Sequence, residues 1–411
     1  MSERVLSPTT ASAEQLSAAL AAVLERFDPP GEFPAAVLAE ARAAAEHPEP
    51  VDRDLTEVPF VTVDPEESTD LDQAFHLSRA GAGYRLRYAI AAVDAFVRPG
   101  GELDAEARRR GQTLYGPSAR IPLHPFVLSE GAASLLPDRV RPAYVWELDL
   151  DDAGELVRTR VARALVRSRA KLSYAGAQRS LDAGSAAEPL LLLRELGGLR
   201  AQRELDRGGA SLRLPEIEVA RNEATGELGL RQRTPLPVED WNAQLSLLAG
   251  IAGAGLMLDA GIGILRTMPP PDPESVRLLR ARVAALGVPW PTDQPYGAYL
   301  RGLDTDTPVG LAAMHAAGTL FRGAGYTAFD GEAPAQPEQA AVAAPYAHVT
   351  APLRRLVDRF GLACCAAISA GAEVPDWVRA SLPQLPALMA ASAQRSGGLN
   401  RATIDAYEAA E

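Results

Sequence analysis

The sequence predicts an α+β fold built on a mixed β-sheet surrounded by helices, not a doubly wound sheet. Two observations carry this. Strand-like stretches and hairpins are concentrated before about residue 235, and long apolar helical stretches dominate after it. Strands also follow one another in runs instead of alternating one-for-one with helices. A third pattern bounds the size: 411 residues with 47% hydrophobic and 23% charged residues are enough for two or three domains, or for one large domain with appendages.

In chain order, residues 12–28 place leucines and alanines at helical spacing after a Ser cap. Asp28–Phe33 breaks that helix, and Pro34–His47 forms a second one. Residues 1–52 are therefore a small helical N-terminal region, either helix-turn-helix-like or packed on the main domain. Phe60, Val61 and Val63 read as a strand that leads into a Pro-containing loop, and Tyr84–Val93 as another strand after the Gly81–Gly83 turn.

Glu102–Gly111 is a short helix carrying Arg108, Arg109 and Arg110, a triplet more often found on a solvated face. Tyr144–Leu150 and Glu155–Val166 form a hairpin around Asp151–Gly154. Arg158, Arg160, Arg163, Arg167, Arg169 and Lys171 then make the densest positive run, which is either a phosphate track or a charge-decorated strand edge. Helices follow at Leu172–Asp182 and Glu188–Asp206, then a hairpin of Glu216–Arg221 and Glu227–Arg233. Beyond it the pattern predicts helices at Val238–Gly261, Pro273–Leu286, Val309–Gly323, Pro352–Gly371 and from Pro375 to the end. The main domain spans 53–371, with C-terminal helices over 372–411.

Bulk properties exclude some classes. The N-terminus lacks the basic-then-apolar order of a signal peptide. The longest apolar stretch, Ala243–Leu258, falls short of the ~20 residues a bilayer requires and reads as a buried helix. The expectation is a cytoplasmic protein without a membrane partner, most simply a monomer. Cys364 and Cys365, the only cysteines, are adjacent in an apolar run and offer neither a disulfide framework nor metal-ligand spacing. A net charge of −12 argues against a protein coated in positive potential, yet leaves room for a locally basic channel. Lys171 is the only lysine, so nearly all cations are arginines, which suit bidentate phosphate contacts.

The most informative stretch is Val61–Leu77, VTVDPEESTDLDQAFHL, with Asp64, Asp70 and Asp72 within nine residues. Asp70 and Asp72 leave the same face of an extended chain. Converging carboxylates repel unless a cation sits among them, and Mg²⁺ is the hard cation usually held by a few carboxylates plus substrate phosphates. A solvated acidic loop is the alternative. A second stretch, YAHVTAPLRRLVDR (346–359), places Thr350 as a cap, Pro352 in a first helical turn, and Arg354 and Arg355 near a helix N-terminus favourable to anions.

VTVDPEESTDLDQA, Tyr115 with PSARIPLHPFVLSEGAASLLPDRVRPA, AKLSY at 170–174 and YAHVTAPLRR together resemble, in order, the RNB catalytic domain of the ribonuclease II/ribonuclease R exoribonucleases, over about residues 53–370. The resemblance implies a Mg²⁺-dependent nuclease that threads single-stranded RNA 3′ end first through a channel and releases 5′-monophosphates, with Mn²⁺ a possible substitute. By motif position, Asp64, Asp70 and Asp72 match metal-binding or catalytic aspartates. Tyr115 matches the aromatic that stacks on terminal bases, and Arg354 the arginine that stabilises the transition state. Arg355 and Glu239 are further candidates for substrate contacts. Glu239 faces either the channel or its own helix dipole, and His348 is expected to bond a backbone carbonyl.

Three departures stand out. Gln73 replaces the second of two adjacent aspartates, leaving an amide oxygen as the candidate ligand. Ala351 replaces a serine, and LPEIEV (214–219) lacks a second stacking aromatic. The family's flanking cold-shock and S1 domains are also not matched here. Two further readings follow: an RNA-binding module without activity, and a phosphodiesterase of short oligoribonucleotides.

Overall fold

The computed structural model describes residues 10–115, 120–210, 212, 216–221 and 228–409. Its centre is a five-stranded barrel. β1 (Phe60–Asp64), β2 (Gln73–Ala80), β3 (Gly83–Ala91), β6 (Val140–Leu150) and β7 (Leu156–Ser173) pair in that order, and β7 returns to β1 to close the ring. All pairings are antiparallel except the β1–β7 seam, so the sheet is mixed as predicted. Closure removes the exposed sheet edges that would otherwise invite pairing with another chain. Between β3 and β6 lie α3 (Glu102–Arg110) and a short ribbon of β4 (Leu114–Tyr115) and β5 (Arg120–Ile121).

Alternation alone does not describe the barrel strands. Ala143 through Trp146 on β6 and Ala89 through Ala91 on β3 are buried consecutively, because helices cover the outer face. α5 (Glu188–Asp206) packs against β2. α4 (Tyr174–Asp182) packs against β1 and β7, and α10 (Leu356–Ser369) against β7. α6 (Pro237–Ala260) lies against α4, α5 and α10. It is long and apolar enough by composition to cross a membrane, but half of its apolar window is buried inside the protein. Cys364 and Cys365 are free, buried thiols on α10.

The hairpin of β8 (Glu216–Arg221) and β9 (Leu228–Arg233) precedes α6. After α6, β10 (Ile262–Thr267) pairs with β11 (Gly325–Asp330). Between them α7 (Pro273–Ala285), α8 (Tyr296–Arg301) and α9 (Pro308–Ala317) build a separate small core around Trp290, Tyr299 and Met314. The β10–β11 pair was not expected. Gly261 ends α6 in the left-handed conformation, and the strand that follows finds its partner some sixty residues on, beyond the reach of any local pattern.

The terminal helices share the main core. α1 (Thr10–Phe27) packs on α12 (Leu385–Ala409), α2 (Ala35–Glu46) buries Val37 and Ala41, and the stretch around α11 (Asp376–Arg379) buries Val374, Val378 and Leu382. Two arginines of the α3 triplet, Arg108 and Arg110, act as fasteners, while Arg109 lies on the solvated face. Arg110 is buried, pairs with Glu106, donates to the carbonyls of Pro122 and Gly31, and stacks over Phe33. Arg108 pairs with Asp104 and donates to Ser381, and Arg109 pairs with Glu106.

Three other expectations change. β7 runs through Leu172 to Ser173, whose hydroxyl then caps α4, so the helix begins later than the pattern suggests. Most of the basic run along β7 is matched by acids, Arg158 with Asp149, Arg163 with Glu49 and Asp94, Arg167 and Arg169 with Glu57, while Arg160 is exposed. Lys171 donates to the carbonyls of Glu66 and Ser68. Of the two readings of this run, the pairing favours the charge-decorated strand. Finally, α10 starts at Leu356, four residues after Pro352.

Gly250 of α6 lies so close to the segment leading into the arginine motif that an added Cβ would meet Tyr346 Cε2 at 2.1 Å and the Ala347 carbonyl oxygen at 2.7 Å. Backbone cannot yield as a side chain tip can. Gly250→Ala is expected to lower stability by about 1–3 kcal/mol, as other overpacking changes do, with the denaturant midpoint as readout. An unchanged midpoint would contradict this close approach.

Candidate active site

The acidic stretch is the loop from β1 to β2 at one end of the barrel. Asp64 ends β1 opposite Ser173 of β7. Ser134 pins the loop from outside, its hydroxyl donating to the Thr69 carbonyl at 2.7 Å and accepting the Leu71 N–H at 2.9 Å. Lys171 holds the Glu66 and Ser68 carbonyls from the barrel side. The sequence presented Lys171 in a positive run and in the AKLSY motif; its place beside the loop follows from the β1–β7 register.

Over this loop sits the arginine motif. Asp72 Oδ1 accepts the Leu353 N–H at 2.7 Å, and Arg354 Nε stands 3.6 Å from Asp72 Oδ2. Asp70 pairs with Arg120 at 2.5 Å, and Arg120 also pairs with Glu130. Tyr115 lies opposite Arg120 in the β4–β5 ribbon, its ring 56% exposed. Its hydroxyl end is desolvated and feels Arg354, Asp70, Arg120 and Asp72, and burial raises its pKa. Asp70, Asp72, Arg354 and Tyr115 thus lie together at one end of the barrel, with Asp64 near enough to feel Arg354 and Asp70. Sequence reasoning passed over Arg120, which lies inside the RIPLHP segment but has no pattern of its own that marks it as a partner of Asp70.

Burial dominates the electrostatics. Asp72 is nearly inaccessible, and desolvation pushes its pKa up to about 8 against the opposing charge of Arg354 and the Leu353 N–H; Asp358 and Asp70 push it further up. Desolvation likewise raises Asp64 to about 6, with Arg354 and Lys171 opposing and Asp70 reinforcing. Desolvated carboxylates with too little positive charge around them are what a hard dication would stabilise. The oxygen donors of Asp64, Asp70 and Asp72 therefore fit Mg²⁺ in chemistry. Among the described residues no three His, Cys, Asp or Glu side chains already surround one point, and Arg120 and Arg354 stand where cationic charge is needed.

Four sequence-based assignments need correction. Gln73 is engaged elsewhere: its Nε2 donates to the Thr350 carbonyl at 2.8 Å, and its Oε1 accepts from Tyr88 and from Ser246. It is not arranged as a metal ligand. Arg355 is not poised for substrate, because it makes a bidentate pair with buried Asp358, 2.8 Å on each arm. The backbone explains the late start of α10. Thr113 N–H donates to the Arg354 carbonyl, Leu356 N–H to Gly111, and Asp358 accepts the N–H groups of Thr350 and Ala351. These bonds hold 350–355 in a loop that a helix would break.

Glu239 accepts the Leu236 N–H and pairs with Arg233, so it supports the start of α6 rather than a substrate. His348 bonds the Tyr326 hydroxyl at 2.7 Å, not a backbone carbonyl. Burial beside Arg355 drives its pKa well down, so it stays neutral. Of the LPEIEV segment, residues 214 and 215 lie outside the described residues, and 216–219 begin β8.

A family model described as the RNB domain matches residues 52–360. The chain belongs to the RNB domain family. The Arabidopsis thaliana exosome complex exonuclease RRP44 homolog A is 29% identical over 327 residues, covering 76% of this chain and 35% of the relative. Escherichia coli K12 ribonuclease R is 32% identical over 250 residues, 58% of this chain and 30% of the relative. The chain thus spans about a third of the length of these curated relatives. In fold, this RNB domain is similar to Mycoplasma genitalium RNase R in complex with ribose-methylated single-stranded RNA (TM-score 0.84, 20% identity, 97% of this chain and 65% of that one). It is also similar to yeast Ssd1, described as a pseudonuclease (TM-score 0.70, 16% identity, 87% and 46%).

Proposed function

We propose that this RNB domain is a Mg²⁺-dependent 3′→5′ exoribonuclease that hydrolyses single-stranded RNA without sequence preference and releases nucleoside 5′-monophosphates. The observation that supports this most is the meeting of Asp64, Asp70, Asp72, Arg354 and Tyr115 at one end of the barrel, with Asp72 and Leu353 bonded across 281 positions of sequence. The names of its relatives, ribonuclease R and exosome exonuclease, support the same reading.

Asp64, Asp70 and Asp72 would hold the ion, with Mn²⁺ a possible substitute. Bound there, it would polarise the scissile phosphate and lower the pKa of a water. The chain's own groups do the rest. Arg354, half exposed beside Asp72, presents a guanidinium where a phosphate gathers negative charge. Leu353 N–H keeps Asp72 in register with that arginine. Tyr115 offers an exposed aromatic face, which grips a base without reading its identity. Neutral His348, already bonded to Tyr326, takes no part as a base.

A 5′-labelled single-stranded RNA incubated with Mg²⁺ is expected to give a ladder shortening from the 3′ end, abolished by EDTA. Tight binding that ignores EDTA and yields no product would make the domain a silent RNA-binding module. Turnover confined to dinucleotides and similar short chains would make it an oligoribonucleotide phosphodiesterase. Tyr115→Ala is expected to raise KM about tenfold with a smaller change in kcat, since one base–aromatic stack is worth about 1–3 kcal/mol. An unchanged KM would remove Tyr115 from the substrate site.

A further inference from the structure

We infer that Gln73 is a positioning residue, which fixes the loop carrying Arg354 and does not ligate the cation. This rests on the nuclease reading above.

Asp72 and Gln73 are chain neighbours, and they hold the two ends of one loop. Asp72 accepts the Leu353 N–H, and Gln73 donates to the Thr350 carbonyl. Arg354 follows directly. The far side of the Thr350 peptide is held by Asp358, which accepts its N–H at 2.8 Å and that of Ala351 at 2.7 Å. The loop is therefore clamped from the barrel by residues 72 and 73 and from α10 by Asp358.

The carboxamide suits this place and a carboxylate does not. A carbonyl oxygen can only accept, so the group facing Thr350 must be a donor, and this fixes which end of the amide points there. The amide oxygen then receives Tyr88 and Ser246, whose hydroxyls are 2.8 Å apart. One side chain thereby joins β2, β3, α6 and the arginine loop. A carboxylate would turn an anionic oxygen on the Thr350 carbonyl and leave that acceptor unmet.

The test uses Gln73→Met, which keeps length and removes both polar ends, and Gln73→Glu, which keeps a ligating oxygen and, when ionised, gives Thr350 no donor. Three readouts are taken on the full chain: hydrogen exchange of the 350–354 amides, Mn²⁺ binding by electron paramagnetic resonance titration, and kcat with KM on labelled RNA. Both variants are expected to lose about tenfold in exchange protection at Leu353 and about tenfold in kcat, the scale of one lost buried hydrogen bond. KM is expected to stay near wild type, and so is Mn²⁺ affinity in the Met variant.

Weakened Mn²⁺ binding or full kcat in Gln73→Met would overturn the inference. Should the wild type fail to cleave RNA, the nuclease reading fails, yet exchange and Mn²⁺ titration still decide the role of Gln73. Ser246→Ala removes one donor to the amide and serves if the Gln73 variants do not fold. It is expected to show a smaller loss of Leu353 protection, and unchanged protection would count against the clamp.

Discussion

Asp72→Asn is expected to lower kcat by about 10³-fold, the upper end of what losing one preorganised electrostatic contact does, while RNA still binds. The substitution is nearly isosteric, and an asparagine carbonyl can still accept the Leu353 N–H that Asp72 Oδ1 takes at 2.7 Å. The loop bearing Arg354 should stay in place. What disappears is the negative charge at the most deeply buried of the three aspartates, and with it the attraction for a dication and for Arg354. Single-turnover hydrolysis reads the loss, and fluorescence anisotropy of labelled RNA reads the retained binding. Equal hydrolysis by the mutant would mean that the reaction runs elsewhere.

A second large effect concerns stability without metal. The folded-state pKa values of Asp64 and Asp72, about 6 and about 8, lie above the ordinary carboxyl value. Between those limits the native state holds more protons than the unfolded chain, so stability falls as pH rises. For Asp64 the loss is about 3 kcal/mol, spread from roughly pH 4 to 6. Asp72 continues the fall toward pH 8.

Carboxylates held low by arginines, Asp104, Glu106, Asp149 and Asp358 among them, act in the opposite sense. Their stability is present above the ordinary carboxyl pKa and is lost in acid. In EDTA the melting temperature should therefore peak near pH 4–5 and decline toward 8. Mg²⁺ should offset part of the decline, since a ligand at a hundred times its Kd adds about 2.7 kcal/mol. Melting curves from pH 4.5 to 8.5, with EDTA or Mg²⁺, give the comparison. A flat profile in EDTA with no response to Mg²⁺ would argue that these aspartates hold no ion.

Much of this protein is legible in one dimension. Helices such as α5 and α6 announce themselves by long apolar runs, and the β6–β7 hairpin by Asp151–Gly154. The three aspartates, Tyr115 and Arg354 are marked by local motifs. Less legible were elements whose reason lies elsewhere in the chain: β10 depends on β11, and the start of α10 is delayed because residues 111–113 bond the backbone of Arg354 and Leu356. The basic run along β7 stayed ambiguous because a list of arginines does not include the carboxylates opposite them.

What the sequence determined by itself was composition at the site: which residues carry negative charge, which carry positive charge, and that an amide stands beside Asp72. Tertiary structure decided how they are used. Arg354 and Arg355 are adjacent and chemically identical, yet one faces Asp72, half exposed, while the other is locked onto buried Asp358. Gln73, an alternative metal ligand by sequence, instead holds Thr350. The physical reason is that a residue's identity fixes its charge and hydrogen-bonding capacity, whereas its partner and its desolvation are set by which distant backbone the fold brings against it.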